Sequence, residues 1–364
     1  MTPDPYRHLE YLPEPEDPRM LTAIDPDAPG YPPEAYGATV EEAEAWRQAT
    51  NENHRRDRPK PWGVIVSMCL ISALLLTYPQ LTSLFAGALT PNSSWAYEDT
   101  NIYALQDNLG LSGEGILVCI VDTGIEMTHP DLENVNLVSY RDFVGGEVHI
   151  IQDRGKDRHG TMMAGILASH GQYQGAAPNV GLVIAAALNS EGTTQSESTV
   201  SDAIEWCWNE MGVDIISLSL GGDPDPENPL GSQTADAVSD ALDHGVFVVA
   251  AAGNSGGAGT EVTDVSVPAN VDGVIAVGAV DQDGLLWDRT ATGSQTEGAD
   301  GAQRIEPNQK PEVSAPGVDI ISTSNPDLSI PYSASSGTSD ATVFVTGALA
   351  LILERHGGAL PTTN

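Results

Sequence analysis

Positive charge is scarce in this sequence. Lys and Arg total 15 of 364 residues against 51 Asp and Glu, a formal net charge of −36. Such a chain is repelled by nucleic acid and, as far as charge alone decides, by an anionic membrane surface. Cysteine is scarce too. Cys69, Cys119 and Cys207 are too few for a disulfide framework, each lies in an apolar or helix-like run, and all three read as buried thiols. Aromatic residues make up 5%, but apolar residues reach 40%. That excludes a fully disordered chain and leaves material for a sizeable core. The acid excess is broad: residues 1–60 carry 13 acidic and 7 basic side chains, the remainder 38 and 8. Spread over folded sequence, it suits a salty medium in which screening removes self-repulsion. An acidic protein kept soluble by its charge gives the same count.

The chain divides by composition. Residues 1–60 form an acidic, Pro-rich stretch, and eleven of the 25 prolines fall within 1–61. The run Leu12–Pro18 cannot make helix or sheet, so the region reads as a disordered cytoplasmic tail. A short helix over Val40–Gln48 is expected within it, because Glu41, Glu42 and Glu44 suit a first turn. Residues 61–88 are uncharged. Their core from Trp62 to Tyr78, extended through Ala86, reaches the roughly 20 residues that cross a bilayer. Arg55, Arg56, Arg58 and Lys60 form a basic flank, which places the N-terminus in the cytoplasm and the C-terminal part outside. The segment therefore reads as a transmembrane signal anchor. Ala86-Gly87-Ala88 also fits a cleaved signal peptide, and a buried core helix is a third reading.

After a lead-in over 89–110, residues 111–364 alternate strand-like and helix-like runs. Ile116–Val121, Val180–Ala187, Ile215–Leu220, Val246–Ala250 and Val274–Val277 are almost continuously apolar, as strands buried on both faces are. Helix-like segments fall at Gly160–Ser169, Thr199–Met211, Thr234–His244 and Ser339–Glu354. The pattern predicts an α/β fold: a doubly wound, mostly parallel sheet with helices on both faces and a site at the strands' C-terminal ends.

Four residues stand where that rule puts chemistry. Asp122 ends the first strand in Asp-Thr-Gly. A two-lobed aspartic protease needs a second such motif, and none is present, while an Asp there can simply cap a turn. His159 opens a helix of small residues; most histidines in such places are structural. Ser339 opens the last helix, either as a cap or as a nucleophile facing the helix dipole. Asn254 follows a buried strand, either as a turn residue or as an amide donor to an oxyanion.

In the order Asp, His, Ser, these motifs make the chain resemble the subtilisin-like serine proteases, the subtilases of peptidase family S8, over roughly Leu111–Leu353. The stretches His129–Leu132, Ser217–Gly222, Val267–Ala269, Ile275–Ala279 and Lys310–Gly317 add to the likeness. The resemblance implies catalytic roles for Asp122, His159 and Ser339, and an oxyanion role for Asn254. It implies that Ser217, Leu218, Ser219, Leu220 and Gly221 pair with substrate backbone. Among the departures from the family pattern are Val343 and Phe344 in place of the usual Pro and His, and two more. Asp340 follows Ser339 where Met is usual, and the loop Ser169–Gly175 is shorter than the family's calcium loop, although Asp131 matches a calcium ligand. No cofactor is therefore expected to be required, with a structural calcium ion kept as the alternative. The acidic run Asp223–Glu227 lacks a full ligand pattern. The expectation is a membrane-anchored prokaryotic serine endopeptidase acting on extracellular or surface polypeptides, with no nucleic-acid partner. The alternative is an inactive pseudoprotease that binds peptides on a membrane stalk.

Overall fold

The computed structural model describes residues 93–358 except 146–149, 195, 223–231, 258–263 and 294–302, together with positions 41, 44, 45, 48, 66, 68, 71 and 72. The chain falls into two compact units, Met1–Thr90 and Pro91–Asn364. In the first, the eight described positions are helical, four of them inside the helix expected over Val40–Gln48. The rest of the tail and of the expected membrane anchor at 61–88 lies outside the described residues. Among the described residues, no helix is long and apolar enough to cross a membrane.

The second unit is built on seven strands: β1 (Leu117–Asp122), β2 (Leu137–Asp142), β3 (Gly181–Ala186), β4 (Ile215–Leu218), β5 (Phe247–Ala251), β6 (Ile275–Val280) and β7 (Val313–Pro316). They lie in the order β2-β3-β1-β4-β5-β6-β7, and every neighbouring pair is parallel. A separate antiparallel pair, β8 (Ile320–Thr323) and β9 (Tyr332–Ser335), precedes the last helix. The apolar runs are continuous because both faces are covered. Along β1, Val118 and Ile120 enter one hydrophobic cluster while Cys119 and Val121 enter the other, the period of two that a strand imposes.

Among the described residues six α-helices supply the covers: α1 (Ser94–Asp99), α2 (Ile102–Leu109), α3 (His159–Ala168), α4 (Glu197–Glu205), α5 (Gln233–Asp243) and α6 (Thr338–Arg355). Core residues of α1, α2, α3 and α6 join the first cluster, and those of α4 and α5 join the second. The lead-in is thus more than a connection. Ala96, Tyr97 and Ile102 are buried, and Tyr97 meets the Phe344 ring of α6 edge-on with centroids 4.9 Å apart. At the other end of α6, the Glu354 carboxylate accepts the backbone N–H groups of Ser112 and Gly113 at 2.7 and 2.6 Å, fixing the approach to β1. From β1 the chain runs to β2 and β3 on one side, then crosses to β4 on the other. β1 is therefore the switch point, and a crevice opens beyond its C-terminal end.

One sequence expectation is corrected here. Cys119 and Cys207 are not free thiols but a disulfide, with Cα atoms 6.0 Å apart. The predicted helix over Thr199–Met211 is α4 up to Glu205 and a π-helical turn from Trp206 to Glu210, and that turn carries Cys207 onto the face of β1 where Cys119 points. The partners are 88 residues apart on different layers, so local pattern holds no trace of the pairing. Peptide mapping without reductant should recover the Cys119 and Cys207 peptides as one linked species. Their separate recovery would refute the bridge.

Candidate active site

Asp122 ends β1 fully buried, with one carboxylate oxygen accepting the Thr123 N–H at 2.7 Å. The turn that follows receives the first residues of α3. Gly124 has a φ of +120°, and a Cβ on Gly160 would lie 2.2 Å from the Gly124 carbonyl oxygen. Two glycines thus let helix and turn touch backbone to backbone. Thr123 and Asp153 hold the contact. The Thr123 hydroxyl accepts the Gly160 N–H at 2.9 Å and donates to Asp153 at 2.7 Å. The second Asp153 oxygen accepts the N–H and hydroxyl of Thr161 at 2.8 and 2.6 Å. A carboxylate there satisfies open N–H groups at the positive end of α3.

That docking aims His159 at Asp122. The imidazole Nδ1 lies 2.9 Å from both carboxylate oxygens, so Nδ1 carries the proton and Nε2 is left to act as base. Burial disfavours the imidazolium, but Asp122 outweighs it by charge and hydrogen bond, with further help from Asp340 and Asp153. The result is a pKa raised to about 9.

Ser339 is the second residue of α6 and is half-buried. Its hydroxyl donates to the Ser219 carbonyl at 3.2 Å rather than to His159, and the Ser219 hydroxyl donates back to the Ser339 carbonyl at 3.1 Å. Asn254 is fixed by Thr338. Its Oδ1 accepts the Thr338 N–H at 3.0 Å and the Thr338 hydroxyl at 2.9 Å, and that hydroxyl accepts the Gly253 N–H at 3.1 Å. With both donors on Oδ1, the amide NH2 turns toward Gly337, whose missing side chain leaves room above it. This is a preset donor at the N-terminus of a helix, suited to a developing oxyanion.

The five-residue segment expected to pair with substrate divides in two. Ser217 and Leu218 are β4 residues buried inside the sheet, and Ser217 accepts the Thr346 hydroxyl at 3.0 Å. Ser219, Leu220 and Gly221 line a cleft of about 720 Å³ together with Asn254, Thr338 and Ser339. Ser266 forms part of its wall, close against Gly221 and Gly253. Asp131 is buried. Its oxygens accept the Tyr332 hydroxyl at 3.0 Å and the Tyr173 N–H at 3.3 Å. Among the described residues, no group of three or more His, Cys, Asp or Glu side chains could hold a metal ion. The run Asp223–Glu227 lies outside them.

Residues 113–363 match the Peptidase S8, or subtilase, family. The chain belongs to this family of serine-type endopeptidases. It is 39% identical over 251 residues to subtilisin DY of Bacillus licheniformis, covering 68% of this chain and 80% of that protein. It is 34% identical over 281 residues to the serine protease AprX of Bacillus subtilis (strain 168), covering 69% and 60%. With subtilisin E of the same strain it shares 36% over 251 residues, 68% of this chain but 58% of that one.

Within this subtilase, Asp340 is the unusual neighbour of Ser339. Its carboxyl is buried and accepts the Ser335 hydroxyl. Burial raises its pKa to about 6, against the opposing pull of that hydrogen bond and of His159. Above pH 6 it is therefore an anion near His159 and adds to the imidazolium's stability. The base must be neutral to accept a proton, so the acid limb of kcat/KM should lie on the alkaline side of neutrality. Asp340→Asn should move that limb to lower pH, and an unmoved limb in the pH profile would show that Asp340 does not act on His159. Gly160→Ala offers an independent check on the docking of α3. The added methyl meets backbone, and a displacement on the order of 1 Å costs about 10²-fold in kcat/KM. Full activity in this variant on a peptide substrate would mean that the contact does not position His159.

Proposed function

We propose that this subtilase cleaves polypeptides internally through an acyl-enzyme formed on Ser339. The observation that carries the proposal is the two-oxygen seat of His159 on Asp122, with Ser339 and the preset Asn254 amide opening on one cleft. Ser339 Oγ attacks the scissile carbonyl and gives its proton to His159 Nε2. Asp122 holds the ring and stabilises its cation. The carbonyl oxygen becomes an anion beside the Asn254 amide and the Ser339 N–H; loss of such a side-chain donor lowers turnover by about 10²–10³. His159 then protonates the leaving amine, and water repeats the sequence in reverse on the ester. Ser339 reaches His159 by leaving the Ser219 carbonyl, a rotation between staggered side-chain positions. The substrate lies extended along Ser219–Gly221, where main-chain bonds supply affinity. No step calls for a cofactor. The same reading puts the enzyme on the outer face of a prokaryotic membrane, tethered through 61–88, acting on surface or extracellular proteins. The uncharged segment and its basic flank support that location.

A second reading, a peptide-binding pseudoprotease, is favoured by one observation: Ser339 Oγ is engaged by Ser219 while a buried carboxylate follows it. A fluorophosphonate probe separates the two, because it reacts only with an activated serine. The wild-type protein should be labelled and Ser339→Ala should not. Folded wild-type protein that stays unlabelled at both low and high salt would establish the pseudoprotease.

A further inference from the structure

The walls of the cleft are almost without charge. Hydroxyl, apolar and glycine residues make up its lining, and among the described lining residues Glu197 alone is ionisable at neutral pH. Glu197 stands in the first turn of α4, and the Gln233 N–H at the start of α5 donates to its Oε2 at 3.0 Å. One oxygen is thus tied across 36 residues of chain, while Oε1 accepts from no group among the described residues. Two helix N-termini favour a negative charge at that place. Beside it in the lining stand Val200 and Leu220, apolar surface for an aliphatic stem, and the hydroxyls of Thr194 and Ser232. Among the described residues no Lys or Arg lines the cleft to neutralise it. Lys156, in the loop before α3, is already paired with Glu191.

We infer that Glu197 is a specificity-determining residue that selects a Lys or Arg side chain at one position of the substrate. The inference rests on the proteolytic reading of the cleft. A long cationic side chain would lay its methylenes on Val200 and Leu220 and bring its head to the open Oε1. Ser266, small and uncharged, offers no such selection at its part of the wall. The global charge of −36 draws every cationic peptide alike and at long range. A single tethered carboxylate instead acts at one register, since successive residues of an extended substrate point to opposite sides.

The test uses the full chain and quenched fluorescent peptides in which each position flanking the scissile bond is in turn Lys, Gln or Glu. Rates are normalised to the fraction labelled by the fluorophosphonate probe. Wild-type enzyme should prefer Lys over Gln at one position by about 2–5-fold in kcat/KM at low salt, the size expected of a solvent-exposed ion pair. The preference should shrink in 1 M salt, where screening acts over about 3 Å. Glu197→Gln should abolish the preference at that position. Glu133→Gln, an exposed acid outside the cleft, should keep it. Labelled enzyme with no positional preference for Lys, or with one that survives Glu197→Gln, overturns the inference and leaves the protease reading intact. Absence of both labelling and cleavage overturns both.

Discussion

The contact between the start of α3 and the turn after β1 sets the position of His159. The Gly160 backbone sits against the Gly124 carbonyl, and the Thr123 hydroxyl bridges the Gly160 N–H to Asp153. Asp153 in turn satisfies the first open N–H groups of the helix. His159 takes part in none of these bonds, yet its ring position is fixed by them. The same strand end supplies Asp122, so His159 and its carboxylate partner are held by one docked strand end and helix start. Ser339 and Asn254 are mounted on another, since Thr338 joins the α6 N-terminus to the segment after β5. The proposed mechanism needs both mounts in register, and the parallel sheet between them provides it.

Electrostatics within this frame are a balance of opposing signs. Burial raises the pKa of Asp340, so its ionised form weakens the fold. The stability it allows at low pH is lost as pH rises from its unfolded value through about 6. For His159, raised to about 9 by Asp122, stability is fully present below its unfolded pKa and is lost as pH rises through 9. From about pH 6 to about pH 9 both groups are charged and support each other. The carboxylate beside the nucleophile is therefore tolerated at neutral pH because an imidazolium lies near it.

Much of the fold could be read from the sequence because its signals are local. Continuous apolar strands separated by helical periods imply a covered parallel sheet, and the residues at strand ends and helix starts mark the crevice. Asp122, His159, Asn254 and Ser339 all stand there. What escaped has no local signature. The Cys119–Cys207 bridge depends on a π turn that rotates one helix end. Asp153 lies in a polar loop 30 residues after Thr123 and looks like any surface acid until the chain folds back. Thr338 beside Ser339 reads as part of a helix start, and only its bonds to Asn254 and Gly253 show what it orients. The β4 segment was overextended because an apolar run cannot tell where a strand leaves the sheet and starts to line a cleft. That boundary falls at Ser219.

The acid excess has a consequence for the chemistry. An enzyme that must stabilise a developing oxyanion within a chain of charge −36 works against its own long-range field. That field is screened by salt over about 10 Å at 0.1 M and about 3 Å at 1 M. In the proposed mechanism the donors to the oxyanion, the Asn254 amide and the N-terminal N–H groups of α6, act at contact and are not screened. Added salt therefore removes the opposing term and leaves the helping one, which reconciles an acidic surface with anionic transition-state chemistry. The same contrast explains a nearly neutral cleft. Of the carboxylates near the nucleophile, Asp340 is buried under a hydroxyl and Asp122 is committed to His159. Among the described lining residues Glu197 is the ionisable group with an open carboxylate oxygen, the place where the proposed cationic substrate side chain would bind.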